Sequence, residues 1–249
     1  MQKIEDRIVL FRALVGSHNY NLNDETSDRD YKVFIAPTFD DLYNKEVFSK
    51  QTIGTTEDID VHDIRKLPHL FYKSNINFLE PLFSIDQEIE TDTTHSFLEI
   101  GKMIQEKDEI AKMNLKQLFD ACGGTFRQKM QLLNKPTEGT QHLADKFGYD
   151  TKQAQHAFRN LDFIVRFEAN DFKDFKSAIT YHNEDRDFVM GFKQGAYSQE
   201  EFIKYVNWYH DTYFLPLKEK YHSFAVDEEV NEWLKETVKK IVKAELFIP

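Results

Sequence analysis

One cysteine, Cys122, is all the thiol in the chain, so no intrachain disulfide and no thiolate zinc site is available, and a reducing compartment is expected. It stands before Gly123 and Gly124 among apolar neighbours, which reads as packing. Glycine and proline are scarce, 9 and 6 among 249 residues, and leave little material for flexible linkers. No apolar run approaches the roughly 20 residues of a membrane helix. The segment MQKIEDRIVL holds two acids by position 6 and lacks the basic and apolar parts of an export signal, so a cytoplasmic protein is expected. Basic charge is also short. With 32 Lys and Arg against 43 Asp and Glu the net charge is -11, which disfavours broad electrostatic wrapping of DNA. Net charge describes the average field, so a local basic groove, a nucleotide or a protein partner stays open. Aromatic residues are plentiful at 14%, with 22 Phe, and suit a filled core.

The pattern changes near position 90. Before it, β-prone runs lie between turn signals at Ile8 to Val15, Asp30 to Ile35 and Thr55 to His62. Asp63 reads as a helix cap, and Pro68 resets or kinks the helix that follows. After position 93 the spacing predicts helices near 95–106, 113–134, 150–169, 199–221 and 227–246, punctuated by Pro136, Gly148 and Gly191. In the last of these, Val230, Leu234, Val238 and Ile241 fall on one face. The expected fold class is therefore α+β, with an α/β domain over 1–92 and a helical domain over 93–249.

The informative stretch is VGSHNYNLNDETSDRDYKVFIAP, residues 15–37. Gly16 and Ser17 follow an apolar strand, where backbone amides and a hydroxyl can face a phosphate. Eleven residues after Ser17 comes Asp28-Arg29-Asp30, leading into the next strand. Extended backbone would project both carboxylates from one face about 7 Å apart, near enough to grip divalent cations. Asp58 and Asp60, on the polar face of the third strand, are candidates for a third carboxylate. About seven acid-x-acid pairs arise by chance in so acidic a chain, so the ordered combination is what counts. The competing structural reading makes Ser17 a helix cap, Asp28 and Asp30 turn residues, and Asp58 and Asp60 the wet face of an edge strand.

Gly16-Ser17-His18-Asn19-Tyr20 followed by Ser27-Asp28-Arg29-Asp30-Tyr31 resembles the signature of the DNA polymerase beta nucleotidyltransferase superfamily. It most resembles a bacterial and phage branch linked to RNA repair. The likeness continues through residues 58–66, through 73–83, and into Gly148 to Lys152 with His156 and Arg159. Many members have Gly after the Tyr of the turn, whereas this chain has Asn21.

The resemblance implies a nucleotidyltransferase domain with a mixed sheet, followed by helices. It implies that Asp28, Asp30 and one of Asp58 or Asp60 bind two Mg2+ ions, with Mn2+ as a substitute. Gly16 and Ser17 would hold a nucleoside triphosphate such as ATP. A hydroxyl acceptor would attack the α-phosphorus and release pyrophosphate. RNA, tRNA included, is the favoured acceptor, and a protein that receives AMP is the alternative. Lys152, His156 and Arg159 share a helix face at i, i+4 and i+7 and either meet the nucleotide or form a structural face. Asn75 and Glu80 either hold a base or cap helices, and Arg127, Lys129 and Lys135 either touch nucleic acid or are solvated. Two other classes compete: a His-Asp phosphohydrolase built on His62 and Asp63, and a non-catalytic binding protein on the same fold. No membrane contact is expected, and no residue pattern sets an oligomeric state.

Overall fold

The computed structural model describes residues 2–54, 56–89 and 94–246. The chain order is β1 (Lys3–Ile4), β2 (Arg7–Val15), β3 (Arg29–Ile35), α1 (Phe39–Tyr43), β4 (Ser49–Ile53), β5 (Glu57–Asp63), α2 (Leu67–Tyr72), α3 (Ile76–Leu79) and β6 (Gln87–Ile89). Helices follow: α4 (Thr94–Gln105), α5 (Lys107–Lys112), α6 (Leu115–Leu132), α7 (Gln141–Phe147), α8 (Thr151–Ala169), α9 (Phe175–Ile179), α10 (Asn183–Lys193), α11 (Gln199–Tyr209), α12 (Lys218–Ser223) and α13 (Glu228–Leu246). The chain is thus α+β, with a mixed sheet first and a helical region after it.

The sheet runs β1-β2-β3-β5-β4, with β6 also paired to β2. β3 and β5 are parallel and the other pairs antiparallel. The near-continuous apolar run of β2 suits a strand with neighbours on both edges. One face buries Val9, Val33, Ile35 and Val61, with Ile4, Phe48 and Ile59 packed on them. On the other, Phe34 stacks on Phe11 at 5.8 Å, and Phe78 meets Phe34 and His62 at 6.5 and 4.8 Å. Asp63 accepts from the Arg65 amide and caps the turn before α2, whose first turn holds Pro68 where no amide is needed.

The boundary expected at 92/93 falls outside the described residues, as does Thr55, the expected start of the third strand. Contacts divide the chain into one unit of Met1–Asn114 with Val226–Pro249 and another of Leu115–Ala225. This division differs from the expected one because α4 packs on β2 and β6 while α13 returns to pack on α2, α4 and α5. In α13, Leu234, Val238 and Ile241 are buried as the spacing requires, joined by Asn231, Thr237 and Glu245.

In the second unit α8 is the central element, packed by α6, α9 and α10. Phe158, Leu161, Ile164 and Phe167 are buried along it. The helix expected over 199–221 is broken: a π-helical turn at His210–Phe214 and a 3-10 turn at Leu215–Leu217 intervene, where Pro216 lacks a helical donor. Gly191 does not punctuate; it lies within α10, and the chain turns at Gly195, whose φ is +72°. Cys122 is buried and burial pushes its thiol up, consistent with packing. Among the described residues no helix is long and apolar enough to cross a membrane.

Candidate active site

β2 ends at Val15, and Gly16 enters the 3-10 turn Gly16–His18 with φ of +71°. The Gly16 carbonyl accepts from the amides of Asn19 and Tyr20 at 3.0 and 3.2 Å, and the Ser17 carbonyl from Leu22 at 2.8 Å. Asn21 has φ of +57°, so Asn supplies the left-handed residue for which Gly is the commoner solution. A buried acid braces this turn. Glu80 Oε1 accepts from the Gly16 amide at 2.7 Å and from Asn19 Nδ2 at 3.3 Å, while Asn19 Oδ1 accepts from the Ile85 amide at 3.2 Å. The returning loop is tied by Asp24 Oδ1, which accepts from the Thr26 amide and the Ser27 hydroxyl, and by His18 Nε2, 3.3 Å from the Ser27 carbonyl. These local bonds deliver the chain to Asp28.

Asp28 is exposed and stands one residue before β3, whose first amide, from Arg29, donates to the Thr56 carbonyl at 3.0 Å. The parallel pairing sets Asp30 opposite Asp58, Lys32 opposite Asp60 and Phe34 opposite His62. Paired residues share a face and alternate positions return to it, so Asp30, Asp58 and Asp60 lie on one face. β5 is an interior strand, covered by β4, so the wet-edge reading of Asp58 and Asp60 does not hold. Asp30 also abuts the Gly turn: a methyl built on Gly16 would lie 2.5 Å from Asp30 Oδ2. Gly16 therefore makes room for a carboxylate, a role beyond conformational freedom.

Asp58 and Asp60 differ in their partners. Asp58 Oδ1 accepts from the Gly54 amide at 3.1 Å. Asp60 Oδ2 lies 2.6 Å from Lys32 Nζ and 2.8 Å from His62 Nε2. Burial works to raise the Asp60 carboxyl, but the bonds from His62 and Lys32 outweigh it and hold the group down at about 2. A carboxyl depressed in the fold contributes stability above its ordinary value of 3.8, and that contribution is lost as pH falls toward 2. Urea midpoints taken between pH 5 and 2 should fall more steeply for wild type than for Asp60→Asn; parallel curves would show that the pair contributes nothing.

Among the described residues no three His, Cys, Asp or Glu side chains are gathered as a metal-binding group. Magnesium is commonly held by one or two carboxylates, with waters and substrate phosphates completing its shell. Asp30 and Asp58, hard oxygen donors side by side on one face, fit an ion that arrives with a nucleotide, and they do not form a cage prepared in advance. Among the described residues the His-Asp alternative finds no ligand set. Asp63 receives Arg65 Nε at 2.9 Å, and His62 is taken up by Asp60 and by Ser49, whose Oγ lies 3.3 Å from His62 Nδ1.

Glu80 is the residue whose role the sequence left open. Asn75 caps α3 through the Asn77 amide, as one reading held, and Glu80 accepts from the Gly16 amide. The signal for it is an acid inside the apolar run from Ile76 to Phe83, where a buried carboxylate demands donors.

In the helical unit, Lys152, His156 and Arg159 all lie on α8 at the expected spacing. Lys152 is exposed, and the other two are half-buried. Burial first, and then the charges of Arg159, Lys129, Lys152 and Lys193, hold the His156 imidazole neutral. Burial likewise lowers Lys129, against the pull of Asp150. Positive charge is therefore concentrated here in a chain that is acidic overall. Arg127 and Lys135 are exposed.

A search of curated proteins gives no match to the chain. A family model described as RlaP, the RNA repair pathway DNA polymerase beta family, matches residues 1–135. That span holds the Gly16-Ser17 turn, its Glu80 brace and the carboxylates of β3 and β5. It covers more than half of the 249 residues, and the chain belongs to the RNA repair pathway DNA polymerase beta family, within the nucleotidyltransferases of the polymerase beta superfamily.

Proposed function

We propose that the chain is a magnesium-dependent nucleotidyltransferase that moves a nucleoside monophosphate from a nucleoside triphosphate to a hydroxyl at an RNA end. The observation that carries this reading is the register that sets Asp30 beside Asp58, with the Asp30 carboxylate against the Gly16 turn. Asp28, Asp30 and Asp58 would hold the metal, Mg2+ with Mn2+ as a substitute. When bound, the ions would offset charge on the triphosphate and favour ionisation of the acceptor hydroxyl. The chain's own groups do the positioning. With the Gly16 amide engaged by Glu80, the phosphate falls to the hydroxyl and amide of Ser17. Asp60, held by Lys32 and His62, fixes the strand face on which Asp58 stands. Lys152 and Arg159, on α8 of the helical unit, would offer charge to a phosphate, and neutral His156 would offer a hydrogen bond. The acceptor oxygen bonds to the α-phosphorus, and the bond to the pyrophosphate leaving group breaks, with orientation and charge neutralisation providing most of the acceleration.

The test incubates the protein with Mg2+ and each α-labelled nucleoside triphosphate, with RNA, tRNA, DNA and the protein itself as acceptors, beside an Asp28→Ala/Asp30→Ala double variant. Label on RNA that vanishes in the double variant is the expected result. Label on protein alone would replace RNA with protein modification. Silence with every nucleotide, together with absence of nucleotide binding, would sink the reading.

A further inference from the structure

Inside the helical unit, three helix ends meet beside His156. The Asp150 amide donates to the Leu133 carbonyl at 2.8 Å, which sets the last turn of α6 at the start of α8. The Thr151 hydroxyl donates to the Lys193 carbonyl at 2.8 Å, which sets the end of α10 there too. Four cations are gathered in this way: Lys129 from α6, Lys152 and Arg159 from α8, and Lys193 from α10. After burial, the leading charges on the His156 ring are these four, all positive. The other elements packed on α8, which are α7, α9, α11 and the turn at His210–Phe214, contribute none of these leading charges. Asp150 acts on Lys129, but it is buried and already accepts from the Thr140 hydroxyl and the Gln153 amide.

The cluster is open and uncompensated. Arg166 and Arg186 in the same unit pair with acids, whereas Lys129 and Lys152 have no acid partner among the described residues. No group among the described residues bonds the ring nitrogens of His156, and neither nitrogen is sealed from solvent. Cations crowded around a half-buried ring repel one another, and an anion entering among them removes that cost. The entering charge has to be concentrated. A phosphodiester brings one negative charge and a terminal phosphate about two. The excess of acid in the chain lies elsewhere: residues 115–225 hold 15 Lys and Arg against 15 Asp and Glu, so the whole net charge of -11 belongs to the sheet unit.

We infer that this cluster binds a terminal phosphate group, with Lys129 and Lys193 joining Lys152 and Arg159 around it, and that His156 takes up a proton from solvent as the phosphate enters. Without a ligand the ring is held below its ordinary value of 6.5 and is neutral at pH 7. A bound dianion reverses the local field, and the imidazolium gains a charge-assisted hydrogen bond to a phosphate oxygen. A proton gained on binding means that affinity rises as pH falls through this range. The inference rests on the reading above for the source of the phosphate, which is either the tail of the nucleoside triphosphate or the end of the RNA acceptor.

The test is titration calorimetry of the full chain with tripolyphosphate, in magnesium-free buffers that contain EDTA and differ in ionisation enthalpy. Lys129→Gln/Lys152→Gln should weaken binding at least about tenfold, while Lys204→Gln/Lys218→Gln, the same charge change at exposed positions outside the cluster, should stay within about twofold. His156→Gln isolates the proton: wild type should take up about half a proton more per ligand than this variant at pH 7, and should gain affinity relative to it between pH 8 and 6. Subtracting the variant removes the titration of the phosphate itself. Displacement of tripolyphosphate by ATP assigns the nucleotide tail, and displacement by an RNA hexamer with a terminal phosphate, but not by one with hydroxyl ends, assigns the acceptor end. Absence of metal-free binding, equal losses in the two lysine pairs, or displacement by the hydroxyl-ended hexamer as effective as by the phosphorylated one would each overturn the site. Equal proton uptake by wild type and His156→Gln would overturn the role of His156. Transfer is scored apart: transfer by wild type without metal-free binding defeats only this inference, and binding as expected without transfer defeats only the transferase reading.

Discussion

Asp58→Asn should lower nucleotidyl transfer about 10³-fold or more, roughly 4 kcal/mol of transition-state stabilisation, while Asp60→Asn leaves it within about tenfold. Both residues are aspartates two apart on one strand face, so a difference between them would come from register. Asp58 faces Asp30, and its Oδ1 takes one backbone amide. Asp60 faces Lys32 and is tied to Lys32 and His62, so its charge is already compensated. A cation placed against Asp60 would compete with an ammonium 2.6 Å away, a handicap that Asp58 lacks. Single-turnover rates with saturating Mg2+, read beside thermal unfolding of each variant, make the comparison. The reverse order of losses would move the third carboxylate to Asp60, and equal small losses would remove both from the chemistry.

Gly16→Ala should damage stability and rate together. Alanine at φ of +71° carries a left-handed backbone cost of about 1–2 kcal/mol. The added methyl also meets Asp30 Oδ2 at 2.5 Å, which neither group can absorb in place. Either the turn moves off Glu80 or Asp30 swings away from Asp58. The expected outcome is a loss of about 1–3 kcal/mol in urea unfolding and at least about 10²-fold in transfer rate. Asn21→Gly serves as the control, since glycine adopts the φ of +57° at that position without strain; it should keep wild-type stability and rate. A Gly16→Ala protein as stable and active as wild type would show that the approach of Asp30 to the turn has no consequence.

What the sequence made legible followed from local chemistry. β2, β3 and β5 announce themselves through apolar runs, and the end of each lies within about two residues of its expected place. β4 does not, because all five of its residues are exposed and no alternation marks them; only pairing with β5 makes them a strand. The order of Gly16, Ser17, Asp28 and Asp30 was readable because a short loop joins them. The choice between Asp58 and Asp60 was not. Both stand on the polar face of one strand, and nothing local to that strand says which residue of β3 stands opposite. Glu80 meets Gly16 from 64 positions away, and α13 comes back to α2. Such meetings depend on how helices return to the sheet, which no window of the sequence contains.

The return of α13 has a topological consequence. The Asp227 amide donates to the Met113 carbonyl at 2.9 Å, so the points where the chain leaves the sheet unit and re-enters it are stitched together. Everything between them is, for the sheet unit, a closed loop. The entropy of closing a loop grows only with the logarithm of its length, about 0.6 kcal/mol per doubling. The stability of the sheet unit is thereby nearly indifferent to how many residues are looped out. A change in the length of the helical excursion therefore costs the sheet unit little in closure entropy.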